Sequence, residues 1–223
     1  MKLPLLIKVY FKLRKGWQGL TPEAQQLVRL FVKSQERNGS YLNAGGAVDD
    51  YYTQFGKLLE AVFSPWKILT LPKRGLTVKE SMMKDTVYGA FFRFIASEMK
   101  LATPKVDNVS LPEQLSTNAV CCLLAMNYQA MRSCDQRLVE WLRARQDESG
   151  GFFSSEVAPM PDLLSTAVAL FTLRLIGEKP HKASDFIDAH WMENGGFSPT
   201  IYDEYSDVEY MFYGLLALGS DDR

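Results

Sequence analysis

Four aspartates hold the positions from which acid–base chemistry could be done. Asp49, Asp50, Asp162 and Asp207 stand at the heads of the apolar stretches DYYTQFGKLLEA, DLLSTAVALFTL and DVEYMFYGLLAL. A carboxylic acid in that place has two uses. Held neutral among other acids and rings, it can protonate an apolar substrate. Ionised, it caps the free N–H groups of a helix and complements the helix dipole. Aromatic residues cluster in these and the similar stretch DTVYGAFF: Tyr51, Tyr52, Phe55, Tyr88, Tyr210 and Tyr213. If those stretches surround a cavity, these rings are the candidate ligand-binding residues. In a solid interior they are close-packed core.

The remaining reactive types are poorly placed for catalysis. Ser116-Thr117 and Ser165-Thr166 have no histidine near them in the repeat, and Ser or Thr early in a buried helix bonds back to the backbone. The histidines are His181 and His190, and the cysteines are Cys121, Cys122 and Cys134. No trio among them has zinc-ligand spacing, so neither a metal nor a cofactor is expected. The Gly-Gly pairs lack the following Lys and preceding strand of a phosphate cradle.

The elements that must position these residues repeat along the chain. Three segments share one plan: an amphipathic stretch, a glycine turn, then an Asp opening an apolar stretch. They run from Phe31 (FVKSQERNGSY), from Val139 (VEWLRARQDESGGFF) and from Phe186 (FIDAHWMENGGFS). Gly39 to Asp50, Gly151 to Asp162 and Gly196 to Asp207 are each 11 residues. Leu138, Val139 and Leu142 fall on one side of a helix whose other side carries Arg137, Glu140 and Arg143. The run LLSTAVALFTL is apolar nearly all round and belongs in an interior. Each unit therefore reads as an outer amphipathic helix and an inner buried one. Asp85, opening DTVYGAFF, and Glu113, opening EQLSTNAV, mark two degenerate units. No strand hairpin is expected. The expected fold is all-α, with about five helical hairpins stacked in one domain over residues 1–223.

Charge and composition exclude several classes. The 223 residues are 47% hydrophobic, which excludes a disordered chain, and the net charge of −1 argues against a general nucleic-acid binder. Three cysteines without pattern fit reduced thiols, hence a cytoplasmic location. Residues 1–22 carry Lys2, Lys8, Lys12, Arg14 and Lys15 and no acid, in what reads as a basic helix at about 1–20. Such a helix suits peripheral contact with an anionic membrane face, an acidic partner, or simple solvation.

The segments QDESGGFF, WMENGGFS and, more weakly, QERNGSY resemble the repeat of protein prenyltransferase β-subunits and of squalene and hopene cyclases. The resemblance spans about three quarters of the chain. It implies an α/α toroid, with inner helices lining a central cavity, here partial or small because five pairs replace the family's six. It does not carry over catalytic residues. The Asp, Cys and His of the prenyltransferase zinc site have no counterparts at the inner-helix starts. The cyclases' D-x-D-D motif has its nearest match at Ala47-Val48-Asp49-Asp50, without the first Asp. The first expectation is thus a non-catalytic repeat protein that binds an apolar ligand (isoprenoid or lipid) or a protein partner, a homodimer included. The alternative is a metal-independent isoprenoid or terpenoid cyclase- or transferase-like enzyme using Asp49, Asp50, Asp162 or Asp207 as acids.

Overall fold

A computed structural model describes residues 3–70, 86–100, 102 and 114–222. Among the described residues the chain is mostly helical. Nine α-helices run in order: α1 Leu5–Gln18, α2 Pro22–Ser34, α3 Asp50–Phe63, α4 Val87–Met99, α5 Thr117–Met131, α6 Gln136–Arg143, α7 Leu163–Ile176, α8 Ser184–Ala189 and α9 Val208–Ser220. None of them is long and apolar enough to cross a membrane.

The apolar helices pack on one another in the order α4, α5, α7, α9, α3. The amphipathic ones lie outside them: α2 against α3 and α9, α6 against α5, and α8 against α9. Helix α7 buries Leu163, Ala167, Leu170 and Leu173, and α9 is buried along almost its whole length. On α6 the buried set shrinks to Leu138, Val139 and Leu142, one stripe facing inward. That is the division expected of an all-round apolar helix and a one-sided one.

Helix α1 is the basic helix foreseen at the N-terminus, and it is built into the core. Leu5, Tyr10, Leu13 and Trp17 are buried, and α1 packs on α9, α3 and α4. A Cβ on Gly16 would sit 2.1 Å from the Leu215 carbonyl oxygen, and one on Gly219 would sit 1.8 Å from that of Lys12. The two backbones thus touch where either side chain would hold them apart. The basic groups are used within the chain: Lys8 donates to Gln129 Oε1 at 2.6 Å, and Arg14 to the Val62 carbonyl at 2.8 Å.

Two small sheets depart from the all-α expectation, which foresaw no strand hairpin. β1 (Glu36–Arg37), β2 (Ser40–Leu42) and β3 (Val48–Asp49) form one antiparallel ladder, and β4 (Phe152–Phe153) with β5 (Pro161–Asp162) form another. Each ladder is two or three residues long, too short for an alternating apolar pattern to reveal it. They exist because each turn folds back onto the residue that caps the next helix: Tyr41 pairs with Asp49, and Phe152 with Asp162.

These pairings correct the repeat register. The turn glycines Gly39, Gly150 and Gly195 have positive φ, at 81°, 89° and 85°, and each is followed two residues later by a buried aromatic: Tyr41, Phe152 or Phe197. The N-caps are Asp49, Asp162 and Asp207. The matching intervals are therefore 10, 12 and 12 residues, and the three equal spacings of 11 paired unlike positions. Asp50 lies within the first turn of α3, one residue past its cap. The local wiring repeats as well. Tyr41 N–H donates to Thr53 Oγ1 at 2.9 Å and Phe152 N–H to Thr166 Oγ1 at 2.8 Å, while each threonine hydroxyl donates to the carbonyl of its cap, Asp49 or Asp162. A Cβ on Gly56 or Gly214, each seven residues past its cap, would strike the ring of Tyr41 or Phe197 at 2.2 Å. The turn aromatic is thus seated on a small residue of the helix that follows.

The two degenerate units begin differently from the sequence reading. Asp85 and Glu113 lie outside the described residues. Helix α4 is capped by Thr86, whose side chain accepts from Gly89 N–H, and α5 by Ser116, which accepts from Ala119 N–H. Hydroxyl caps serve the same free N–H groups that carboxylates do.

Candidate functional site

A cavity of about 840 Å³ opens among α1, α3, α4, α5, α7 and α9. That volume lies toward the upper end of small-molecule sites, which run to roughly 1,000 Å³. Each helix supplies part of the wall: Val9 from α1, Phe55 from α3, Phe91 from α4, Cys121 from α5, Val168 from α7 and Phe212 from α9. Most of the polar lining groups stand near helix starts, Asp49, Asp50, Tyr51 and Gln54 at α3, Tyr88 on α4 and Asn118 on α5, while Thr172 lies farther along α7. Leu58, Ile95, Ala125 and Leu216 line it further along the same helices. The wall is apolar for most of its area, and its carboxylates stand at the start of α3. Val48 and Tyr51, both lining residues, are also about half exposed, at 54% and 45%, so they mark an opening.

The predicted ligand-binding residues divide. Tyr51, Phe55, Tyr88 and Tyr213 line the cavity. Tyr52 and Tyr210 are half-buried and packed against the core beside it without lining it. Rings of α3 and α9 join edge to face: Tyr51 with Phe55 at 5.0 Å between centroids, and Phe55 with Phe212 at 5.0 Å.

The four candidate acids divide as well. Asp49 caps α3, accepting from Tyr51 N–H at 2.7 Å, and lines the opening beside exposed Asp50. Asp162 accepts from Ser165 N–H at 2.7 Å and from Ser165 Oγ at 2.8 Å, so both its oxygens are occupied. Asp207 accepts from Tyr210 N–H at 3.0 Å with Oδ1, while Oδ2 is buried without a hydrogen-bond partner. Neither Asp162 nor Asp207 lines the cavity. Burial pushes the carboxyl groups of both above the ordinary aspartate range.

Sequence reasoning missed Glu209. It sits in the first turn of α9, 9% exposed, and accepts from the Tyr51 hydroxyl at 2.7 Å. Burial raises its pKa, and Tyr51 opposes the rise by donating to it. Burial and the nearby Glu209 push the Tyr51 hydroxyl far above the usual phenol range, so it keeps its proton and donates it. Burial, with Asp207 and Glu209 close by, pushes Tyr52 up to about 12. The signal was present in the sequence: Glu209 is the sole charged residue of VEYMFYGLLALGS. A lone carboxylate in an otherwise apolar helix needs a buried partner.

Neither the cavity-lining cysteines nor His190 is set up as a nucleophile. Cys121 and Cys122 line the cavity, but burial pushes Cys121 up to about 12 and Cys122 higher still, so both remain thiols. His190 is fully buried, its Nδ1 2.8 Å from the Phe186 carbonyl oxygen, and burial lowers its pKa. Among the described residues, no group of three His, Cys, Asp or Glu side chains is placed to hold a metal.

No protein-family model matches the chain. No curated protein matches it either. Among solved structures, a crystal structure of a protein from Actinoplanes is similar, at 12% identity and a TM-score of 0.42, over 95% of this chain and 88% of that one.

Proposed function

We propose that this chain is a small α/α toroid of the prenyltransferase and squalene–hopene cyclase type, and that it holds an apolar molecule, an isoprenoid or lipid chain, in its central cavity. One observation carries the reading: a cavity of about 840 Å³ is walled by α1 and all five apolar helices, mostly apolar, with its carboxylates at the start of α3. Burying an apolar chain there is worth about 25 cal/mol for each Å² removed from water. The repeated wiring of turn, aromatic and cap supports the toroid. The use of Asp162 and Asp207 as caps outside the cavity favours holding a ligand over protonating one with those acids. The three free cysteines fit a cytoplasmic setting.

Native mass spectrometry of the freshly purified chain, with and without incubation in a lipid extract, tests this. The expected result is a retained mass matching a lipid or isoprenoid, lost when Val168→Phe fills the cavity. A bare chain mass after incubation, alike in both proteins, would sink the proposal.

A further inference from the structure

The polar end of the cavity carries a directional pattern of hydrogen bonding. The Tyr51 proton is committed to Glu209 Oε1, so what Tyr51 can offer a ligand is a lone pair. Tyr213, buried on α9, lines the same cavity. Beside Tyr51, Asp49 and Asp50 bring further carboxylate oxygens to the opening, and Asp50 is exposed. These groups accept hydrogen bonds and carry or adjoin negative charge. Around them stand the rings of Tyr51, Phe55 and Phe212, whose faces attract cations.

From this we infer that the cavity selects amphiphiles whose head group is a protonated amine, with the hydrocarbon chain lying along Leu58, Ile95 and Leu216. The inference rests on the reading of the cavity as an apolar-ligand site and adds the chemistry of its entrance. An ammonium head donates to Tyr51 and the aspartates, and it is drawn to their charge. A phosphate or carboxylate head offers acceptors to acceptors and meets like charge. The entrance therefore disfavours the anionic head of a prenyl diphosphate while the interior suits its chain.

The test compares three ligands of one chain length, decylamine, 1-decanol and decanoate, by displacement of an apolar fluorescent dye from the whole chain at pH 7. The amine is expected to bind about tenfold tighter than the alcohol, a ratio typical of one well-placed charged or cation–π contact. Decanoate is expected to bind more weakly than the alcohol. Asp50→Asn, at an exposed position, and Glu209→Gln should each narrow the amine-to-alcohol ratio by weakening amine binding more than alcohol binding. Thermal unfolding checks that both variants are folded. If the alcohol binds and the amine binds no tighter, or decanoate binds tightest, the head-group inference falls and the cavity reading stands. If none of the three displaces the dye, both fall.

Discussion

The Tyr51 hydroxyl donates to Glu209 Oε1 at 2.7 Å across 158 residues of sequence, joining the first turn of α3 to the first turn of α9. This bond ties the first of the five apolar helices α3, α4, α5, α7 and α9 to the last. It also satisfies a carboxylate in a helix that is otherwise apolar. Tyr51→Phe keeps the ring and removes the donor. The expected loss of stability is ~1–3 kcal/mol, the penalty for an under-satisfied buried polar group. Glu209→Gln keeps an acceptor and removes the charge, so its loss should be smaller. The pH dependence has a definite sign. Glu209 has a raised pKa in the folded state, so its contribution is fully present below the ordinary glutamate range and is lost as pH rises through the raised value. Relative to the natural chain, Glu209→Gln should therefore look better at pH 8 than at pH 4. Urea titrations at the two pH values measure this, and an unchanged difference would falsify the assignment.

The contact between α1 and α9 makes a second prediction. Gly16 and Gly219 allow backbone to meet backbone, and the atoms that a new Cβ would strike belong to the chain itself and cannot swing aside. Gly16→Ala or Gly219→Ala should destabilise by ~2–3 kcal/mol, the upper part of the range for overpacking an interface. Gly19→Ala, where the nearest atom is 3.5 Å from the new Cβ, is the control and should be close to neutral. Thermal unfolding of the three variants decides it. Equal melting temperatures would mean that α1 is free to lift from α9.

How much of this was legible in the sequence depends on the range of the signal. The helices were legible because their apolar residues recur at helical spacing, as on α6, or fill the helix, as on α7. The aspartate caps were legible at Asp162 and Asp207. At the first repeat, two adjacent aspartates hid which one caps, and the shorter loop from Gly39 to Asp49 disguised the register. Tyr41 and Thr53 resolve it, because their hydrogen bond matches that of Phe152 and Thr166. The partition of the tyrosines could not be read. Tyr51 and Tyr52 are neighbours on α3, yet Tyr51 lines the cavity and Tyr52 does not. Helical geometry rotates consecutive side chains by about 100°, and the sequence does not say which of the two faces inward. The burial of the basic helix α1 was hidden for a related reason. Lys8 and Arg14 find acceptors in Gln129 and the Val62 carbonyl, far away in the chain.

The last prediction separates capping from acid chemistry at Asp207. Its Oδ1 holds the Tyr210 N–H, while its Oδ2 is buried without a hydrogen-bond partner. Serine supplies one capping oxygen and no second one. Asp207→Ser should therefore keep most of the stability, whereas Asp207→Ala should lose ~0.5–2 kcal/mol, the usual range for a lost N-cap. Burial raises the Asp207 pKa in the folded state, so the charged carboxylate is the form that folding disfavours. The advantage of serine over alanine should consequently persist at pH 8, where the natural residue meets its largest burial penalty. Neither variant should change uptake of an apolar ligand, because Asp207 does not line the cavity. An acid that delivers a proton to the ligand would behave otherwise: Asp207→Ser would stay folded and bind, yet yield no product from a bound isoprenoid that the natural chain converts. Unfolding titrations combined with mass analysis of the bound molecule distinguish the two. Conversion by the natural chain that Asp207→Ser abolishes would overturn the capping role, whereas the stability order natural, Ser, Ala with unchanged ligand mass in all three would support it.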